Sequence, residues 1–110
     1  MDRTDQYRAI VNRLIREYAV SPSHGEIESE VVVDDKRNHF ELMHVGWDGV
    51  RRVHGCVLHV DIKDGKVWVQ HDGTSQPIAE ELVLAGVPRE DIVLGFHPRE
   101  LRKHTAFAVG

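Results

Sequence analysis

Residues 54–61 read HGCVLHVD, placing two histidines, the chain's one cysteine and an aspartate within eight positions. Imidazole, thiolate and carboxylate are the groups that hold zinc or carry nucleophilic and acid–base catalysis. An extended strand, however, sends alternate side chains to opposite sides. Alternation predicts His54, Cys56, Leu58 and Val60 on one side, and Gly55, Val57, His59 and Asp61 on the other. Only His59 and Asp61 then stay together as reactive groups, with Gln70 opposite His59. A histidine–carboxylate pair supports a metal or a proton transfer when further ligands converge on it. Otherwise it is a cross-strand hydrogen bond of the kind found in sheets that bind nothing. A third ligand is not evident, and no closely spaced Cys or His pair occurs elsewhere in the chain. The reading is no metal, no cofactor and no catalytic residue.

Other nucleophiles fare no better. Cys56 is expected among Phe40, Leu58 and Val60, where a free cysteine behaves as a small hydrophobe. Ser21, Ser23 and Ser75 fall in loops and Ser29 early in a strand, with no nucleophile elbow around them. Glycines at 46, 49, 55, 65, 73, 86 and 95 are dispersed and match no phosphate-binding fingerprint.

The elements that position these groups are legible from periodicity. Tyr7, Ile10, Val11, Leu14, Ile15 and Tyr18 line one face of an N-terminal amphipathic helix. Asp2, Thr4 and Asp5 are its candidate caps, and Ser21-Pro22 with Gly25 its stop. The period then becomes two, over Ile27 to Val33, Asn38 to Gly46, Arg52 to Lys63 and Lys66 to His71, which reads as an antiparallel meander. Asp64-Gly65 predicts a type I′ hairpin pairing Ile62 with Val67, Val60 with Val69 and Asp61 with Trp68. At the earlier turn a loop of Asp48-Gly49 would set Glu41 opposite Cys56. Apolar matching instead favours Asp48-Gly49-Val50, with Phe40 opposite Leu58 and Leu42 opposite Cys56.

That register puts Phe40, Leu42, Cys56, Leu58, Val60, Ile62, Val67 and Val69 on the packed face. The second face would carry Met43, Val45, Trp47, Val53, Val57 and Trp68 beside His59, Asp61 and Gln70. It is too apolar for a face left in water, so it needs a cover: a helix of the same chain, a partner or a second copy. Thr74 to Pro77 should open a second helix, with Ile78, Ala79, Leu82, Val83 and Ala85 inward and Gly86 as the stop. Ile92-Val93-Leu94 is a further strand or a short buried extension. The expected fold is α+β, one domain over 1–110: a meander of four to five strands, with a helix before it and a helix after it.

With 110 residues, 41% hydrophobic and 29% charged, the chain can bury a core without disulfide or metal. One cysteine fits a reducing compartment, and no stretch matches a leader or a membrane span, so a cytoplasmic protein is expected. The net charge of −4 argues against autonomous DNA binding. Arg51 and Arg52 beside the turn, and Arg99, Arg102 and Lys103 near the C-terminus, read as solvated groups that could touch an acidic partner.

The stretches MDRTDQYRAIVNRLIREYA, HVGWDGVRRVHGCVLHVDIKDGKVWVQHDGT and ELVLAGVPREDIVLGFHP closely resemble the XisI family, the cyanobacterial fdxN element excision controlling factors. GWDG, DIKDGKVW and PREDIVLGFHP are the specific parts. The resemblance implies a role in excising a DNA element during heterocyst differentiation, alongside a site-specific recombinase. It also implies a second factor, XisH, with a nuclease-type fold, as protein partner. It carries over no catalytic residue. The expectation is a non-enzymatic regulatory subunit whose contact surface includes Met43, Val45, Trp47, Arg51, Arg52, Val57, His59, Asp61 and Trp68. A DNA-binding accessory factor, an antitoxin-like restrainer of the partner, and a metal-dependent enzyme using His59 and Asp61 are the alternatives.

Overall fold

Apolar spacing in the first segment folds as read. The computed structural model describes residues 3–20 and 26–110. Helix α1 (Arg3–Ala19) buries Tyr7, Val11, Leu14 and Ile15. It starts at Arg3, so Thr4 and Asp5 sit within its first turn rather than at a cap. There Asp5 is favoured by the helix dipole and pairs with Arg8 at 2.7 Å. The expected cap Asp2 and stop residues Ser21, Pro22 and Gly25 lie outside the described residues.

Five strands form one sheet in the order β1-β2-β3-β4-β5. They are β1 (Glu26–Asp34), β2 (His39–Asp48), β3 (Arg51–Lys63), β4 (Lys66–Asp72) and β5 (Ile92–Leu94). The first four run as the expected antiparallel meander, whereas β5 lies parallel to β4. Parallel pairing follows because helix α2 (Ile78–Leu84) carries the chain back between them, a β-α-β crossover. Packed against one sheet face, α1 and α2 share a core with Phe40, Leu42, Leu58, Val60, Ile62, Val67 and Val69. The fold is α+β.

The β3–β4 hairpin has the predicted register, with Asp64 at φ 53° and Gly65 at φ 77° as a type I′ turn requires. The β2–β3 hairpin does not. Asp48 pairs with Arg51, leaving Gly49-Val50 as the loop; Gly49 alone takes positive φ (63°), the type II′ pattern. Neither Asp48-Gly49 nor Asp48-Gly49-Val50 is therefore correct. The register holds through Met43↔Cys56, then shifts so that Leu42 faces Leu58, with Val57 the extra residue of a β-bulge. Val57 turns toward the helices and packs against the core, so alternation is broken there.

The consequence corrects both predicted faces. Leu58, Val60 and Ile62 stay in the core, but Cys56 and His54 pair with Met43 and Val45 and move to the outer face. Val57 and Val53 go the opposite way, to the helical side; Val53 pairs with Gly46. A second bulge, between His59 and Val60, leaves Gln70 as the extra residue of β4, so His71 rather than Gln70 faces His59.

Helix α2 is capped from a distance. Asp72 accepts the Ile78 N–H at 2.8 Å and the Thr74 N–H at 2.9 Å, while the Thr74 hydroxyl bonds Asp72 and the Gln76 carbonyl. The expected hydroxyl cap is thus replaced by a carboxylate six residues upstream. Gly86, at φ 111°, closes the helix with N–H bonds from Gly86 to Val83 and from Val87 to Leu82, a Schellman arrangement. Beyond β5, a short helix α3 (Arg99–Arg102) leads the chain back along the sheet edge, where Ala108 bridges Val93.

Candidate functional site: the outer sheet face

The helix-free face is built by the odd-numbered residues of β2 and their cross-strand partners. Glu26, Glu28 and Glu30 on β1 lie opposite Trp47, Val45 and Met43. On β3, Arg52, His54 and Cys56 continue the same rows, followed after the bulge by His59 and Asp61. The face is therefore less apolar than alternation predicted. It is an aliphatic and aromatic strip, Met43-Val45-Trp47, with an acidic row on one flank and histidines on the other. Trp47 is 47% exposed and Val32, on β1, 44%.

The two tryptophans have different fates. Trp68 is covered by its own chain: the Lys63 ammonium lies 4.4 Å and the Arg102 guanidinium 5.2 Å from its ring centroid. Arg102 donates to the carbonyls of His97 (3.0 Å) and Val109 (2.9 Å), and Lys66 donates to the Gly110 carbonyl at 2.5 Å. The C-terminal segment is thereby tied over β4 and β5. Trp47, among the described residues, has the Arg52 guanidinium 5.2 Å from its ring centroid and stays half exposed. Arg52 also donates to the Gly46 carbonyl at 3.3 Å, and Arg51 pairs with Asp48 at 3.4 Å. Both arginines have intrachain partners.

Cys56 sits on this face, not in the core as expected. Its thiol lies 3.3 Å from the Leu58 carbonyl, and burial, reinforced by the charge of Glu41, pushes its pKa up. That is opposite to what a nucleophilic cysteine needs.

His59 and Asp61 are together, as read, and they have company. His59 Nε2 lies 3.1 Å from Asp61 Oδ1, and His39 Nδ1 lies 2.8 Å from the same oxygen. Gln70 donates to Asp61 Oδ2 at 3.2 Å, and His39 Nε2 lies 3.3 Å from Glu41 Oε2. The judgement that a third ligand is missing is corrected by His39. The signal for it was in the sequence: the favoured register sets residue 39 opposite 59, and the observed one sets it opposite 61, beside the pair in both cases. Alternation along one strand cannot show a neighbour contributed by the next.

On the helical side, a cleft of about 460 Å³ opens between α1 and the sheet, with Leu14, Tyr18, Leu42 and Val57 among its walls and Glu17, His44 and Glu81 also lining it. No helix among the described residues is long and apolar enough to cross a membrane.

Two helices over one face of a mixed five-stranded sheet, with a charged and aromatic strip on the other, define an α+β domain organised around a presented surface. The chain belongs to the XisI family: residues 1–109 match the family described as XisI protein. A solved XisI-like protein from Anabaena variabilis ATCC 29413 is 44% identical, with a TM-score of 0.91 over 97% of this chain and 99% of that one. The fdxN element excision controlling factor XisI from the same organism is 33% identical, with a TM-score of 0.85 over 99% and 100% of the two chains. No curated protein matches significantly.

Proposed function

We propose that this chain is a non-enzymatic accessory factor that controls excision of a DNA element, acting by binding an XisH-like protein across its outer sheet face. Family membership and similarity to an excision controlling factor support the role. The observation that carries the mode of action is the exposed strip from Trp47 to Val32, with Met43 and Val45 beside it and Glu26, Glu28 and Glu30 along its edge. An aromatic and aliphatic centre with a charged rim is the anatomy of a protein interface. His59 and Asp61 extend it; Val57 leaves the proposed contact set because it faces the helices.

The acidic row fits a partner with a basic surface and repels a phosphate backbone. Arg51 and Arg52 already contact Asp48, the Gly46 carbonyl and Trp47 at the hairpin end, and a phosphate would compete with those contacts. Both the protein and its partner would meet in the cytoplasm.

Co-expression with an XisH-like protein from the same organism, followed by pull-down, tests the reading. The pair should co-purify, and Trp47→Ala should weaken association by about 10- to 100-fold, the effect of removing a central aromatic anchor. Failure to associate overturns the proposal. Salt-dependent binding of the isolated chain to the ends of the element would favour a DNA-directed accessory factor instead. Loss of a partner's nuclease activity on binding would identify the restraining form of the same interaction. A change in sedimentation on Trp47→Ala, with partner binding intact, would assign the strip to a second copy.

A further inference from the structure

We propose that His39, His59 and Asp61 form a binding site for a divalent transition-metal ion of the zinc class on the outer sheet face. One ligand atom from each lies within 4.8 Å of the others. His39 Nδ1 and His59 Nε2 both address Asp61 Oδ1, at 2.8 Å and 3.1 Å. Their ring centroids are 4.4 Å apart, with the planes tilted by 55°. Donor atoms around a tetrahedral zinc stand roughly 3.4 Å apart, given metal–ligand bonds of about 2.0–2.2 Å. Opening the His39–Asp61 contact by about 0.6 Å and the His59–Asp61 contact by about 0.3 Å brings those donor pairs to that spacing.

The outer contacts prepare these atoms. Glu41 Oε2 lies 3.3 Å from His39 Nε2; in the tautomer that gives Glu41 the N–H, the Nδ1 lone pair is directed at Asp61. Gln70 donates to Asp61 Oδ2 and leaves Oδ1 for the shared contact. Two lone pairs then face each other at 2.8 Å, an arrangement that needs positive charge between them, supplied by a proton or by a metal ion. Lys63, next on this face beyond Asp61, directs its ammonium to Trp68. Two imidazoles and a carboxylate suit zinc better than magnesium or calcium, which prefer all-oxygen sites, or copper(I), which prefers sulfur. Side-chain exposures of 34%, 26% and 18% for His39, His59 and Asp61 leave the fourth position open to solvent, or to a ligand brought by another molecule. The site stands independently of the partner reading.

The test uses the full chain without an affinity tag. Calorimetric titration with zinc should give one ion per chain, and cobalt(II) should develop visible absorption from the same site. His59→Gln and Asp61→Asn should weaken zinc binding by roughly a hundredfold or more. Glu41→Gln, which removes the carboxylate from the outer nitrogen of His39, should weaken it by about 10- to 100-fold. His54→Gln, on the same face but outside the cluster, should leave it unchanged. Circular dichroism of the metal-free variants should match the parent, since these side chains are partly exposed. Absence of stoichiometric zinc binding overturns the site, and so does binding that survives both His59→Gln and Asp61→Asn or that is lost with His54→Gln.

Discussion

Tyr7 and Tyr18 are the chain's two tyrosines, and each is tied to a distant part of the fold. Tyr7 donates to the buried Asp91, which also pairs with Arg3 at 3.5 Å, joining α1 to the turn that feeds β5. Tyr18 donates to the Gln76 carbonyl at 2.5 Å, joining α1 to the entry of α2. Burial, then the hydrogen bond to Asp91, pushes Tyr7 up to about 12; burial, then the charge of Asp72, does the same for Tyr18. A phenol whose folded pKa lies above its ordinary 10.0 holds its proton longer in the native state. Its stabilisation is complete below pH 10 and declines as pH rises toward 12. Absorbance titration should therefore show little tyrosinate in the native protein at pH 10.5 and much more after unfolding in urea, and native stability should fall across that interval. Ionisation of either tyrosine near its ordinary value would contradict the geometry. Tyr7→Phe should remove part of this alkaline dependence and cost about 1–3 kcal/mol, because Asp91 is left without its phenol donor.

At the scale of elements, turn chemistry decides how much can be read in advance. Asp64-Gly65 supplies positive φ at both central positions, so the β3–β4 register follows from two residues. In the β2–β3 hairpin, Gly49 occupies the first position of a type II′ turn and shifts the loop by one residue. The bulge then shifts it again. Nothing local demands that Val57 turn toward the helices; its packing against the core does, and that belongs to tertiary structure. Hence the core strands were legible while Cys56, Val53 and Val57 were assigned to the wrong faces. The start of α2 has a similar history, because Asp72 reaches across the end of β4 to hold Ile78. Asp72→Ala should destabilise the protein by about 1–2 kcal/mol in urea unfolding, the usual effect of losing a helix cap. Asp72→Asn, which keeps an acceptor oxygen, should lose less. Equal losses would mean that charge, not the bond to Ile78, is what matters.

At the scale of the molecule, the sheet has two helices over one side, with a cleft between α1 and the strands, and a shorter cover on the other. The C-terminal segment is that shorter cover: it screens Trp68 through Arg102 and bridges Val93 through Ala108. Its path had no periodic signature, since it is held by backbone carbonyls and two cation–ring contacts rather than by a hydrophobic stripe. Removing residues 96–110 should red-shift tryptophan fluorescence, through exposure of Trp68, and lower the melting temperature. Repeating the truncation with Trp47→Phe should leave the red shift in place, whereas its disappearance would assign the change to Trp47. The bulge at Val57 carries a different kind of consequence. The extra residue is absorbed where it stands: Val57 and Leu58 both face the helices, so Arg52, His54 and Cys56 look outward with it and would still look outward without it. A partner's lock would thus meet the same key after loss of that one residue. Two relatives with identical residues at 51–56 present the same key whether or not both keep the extra residue.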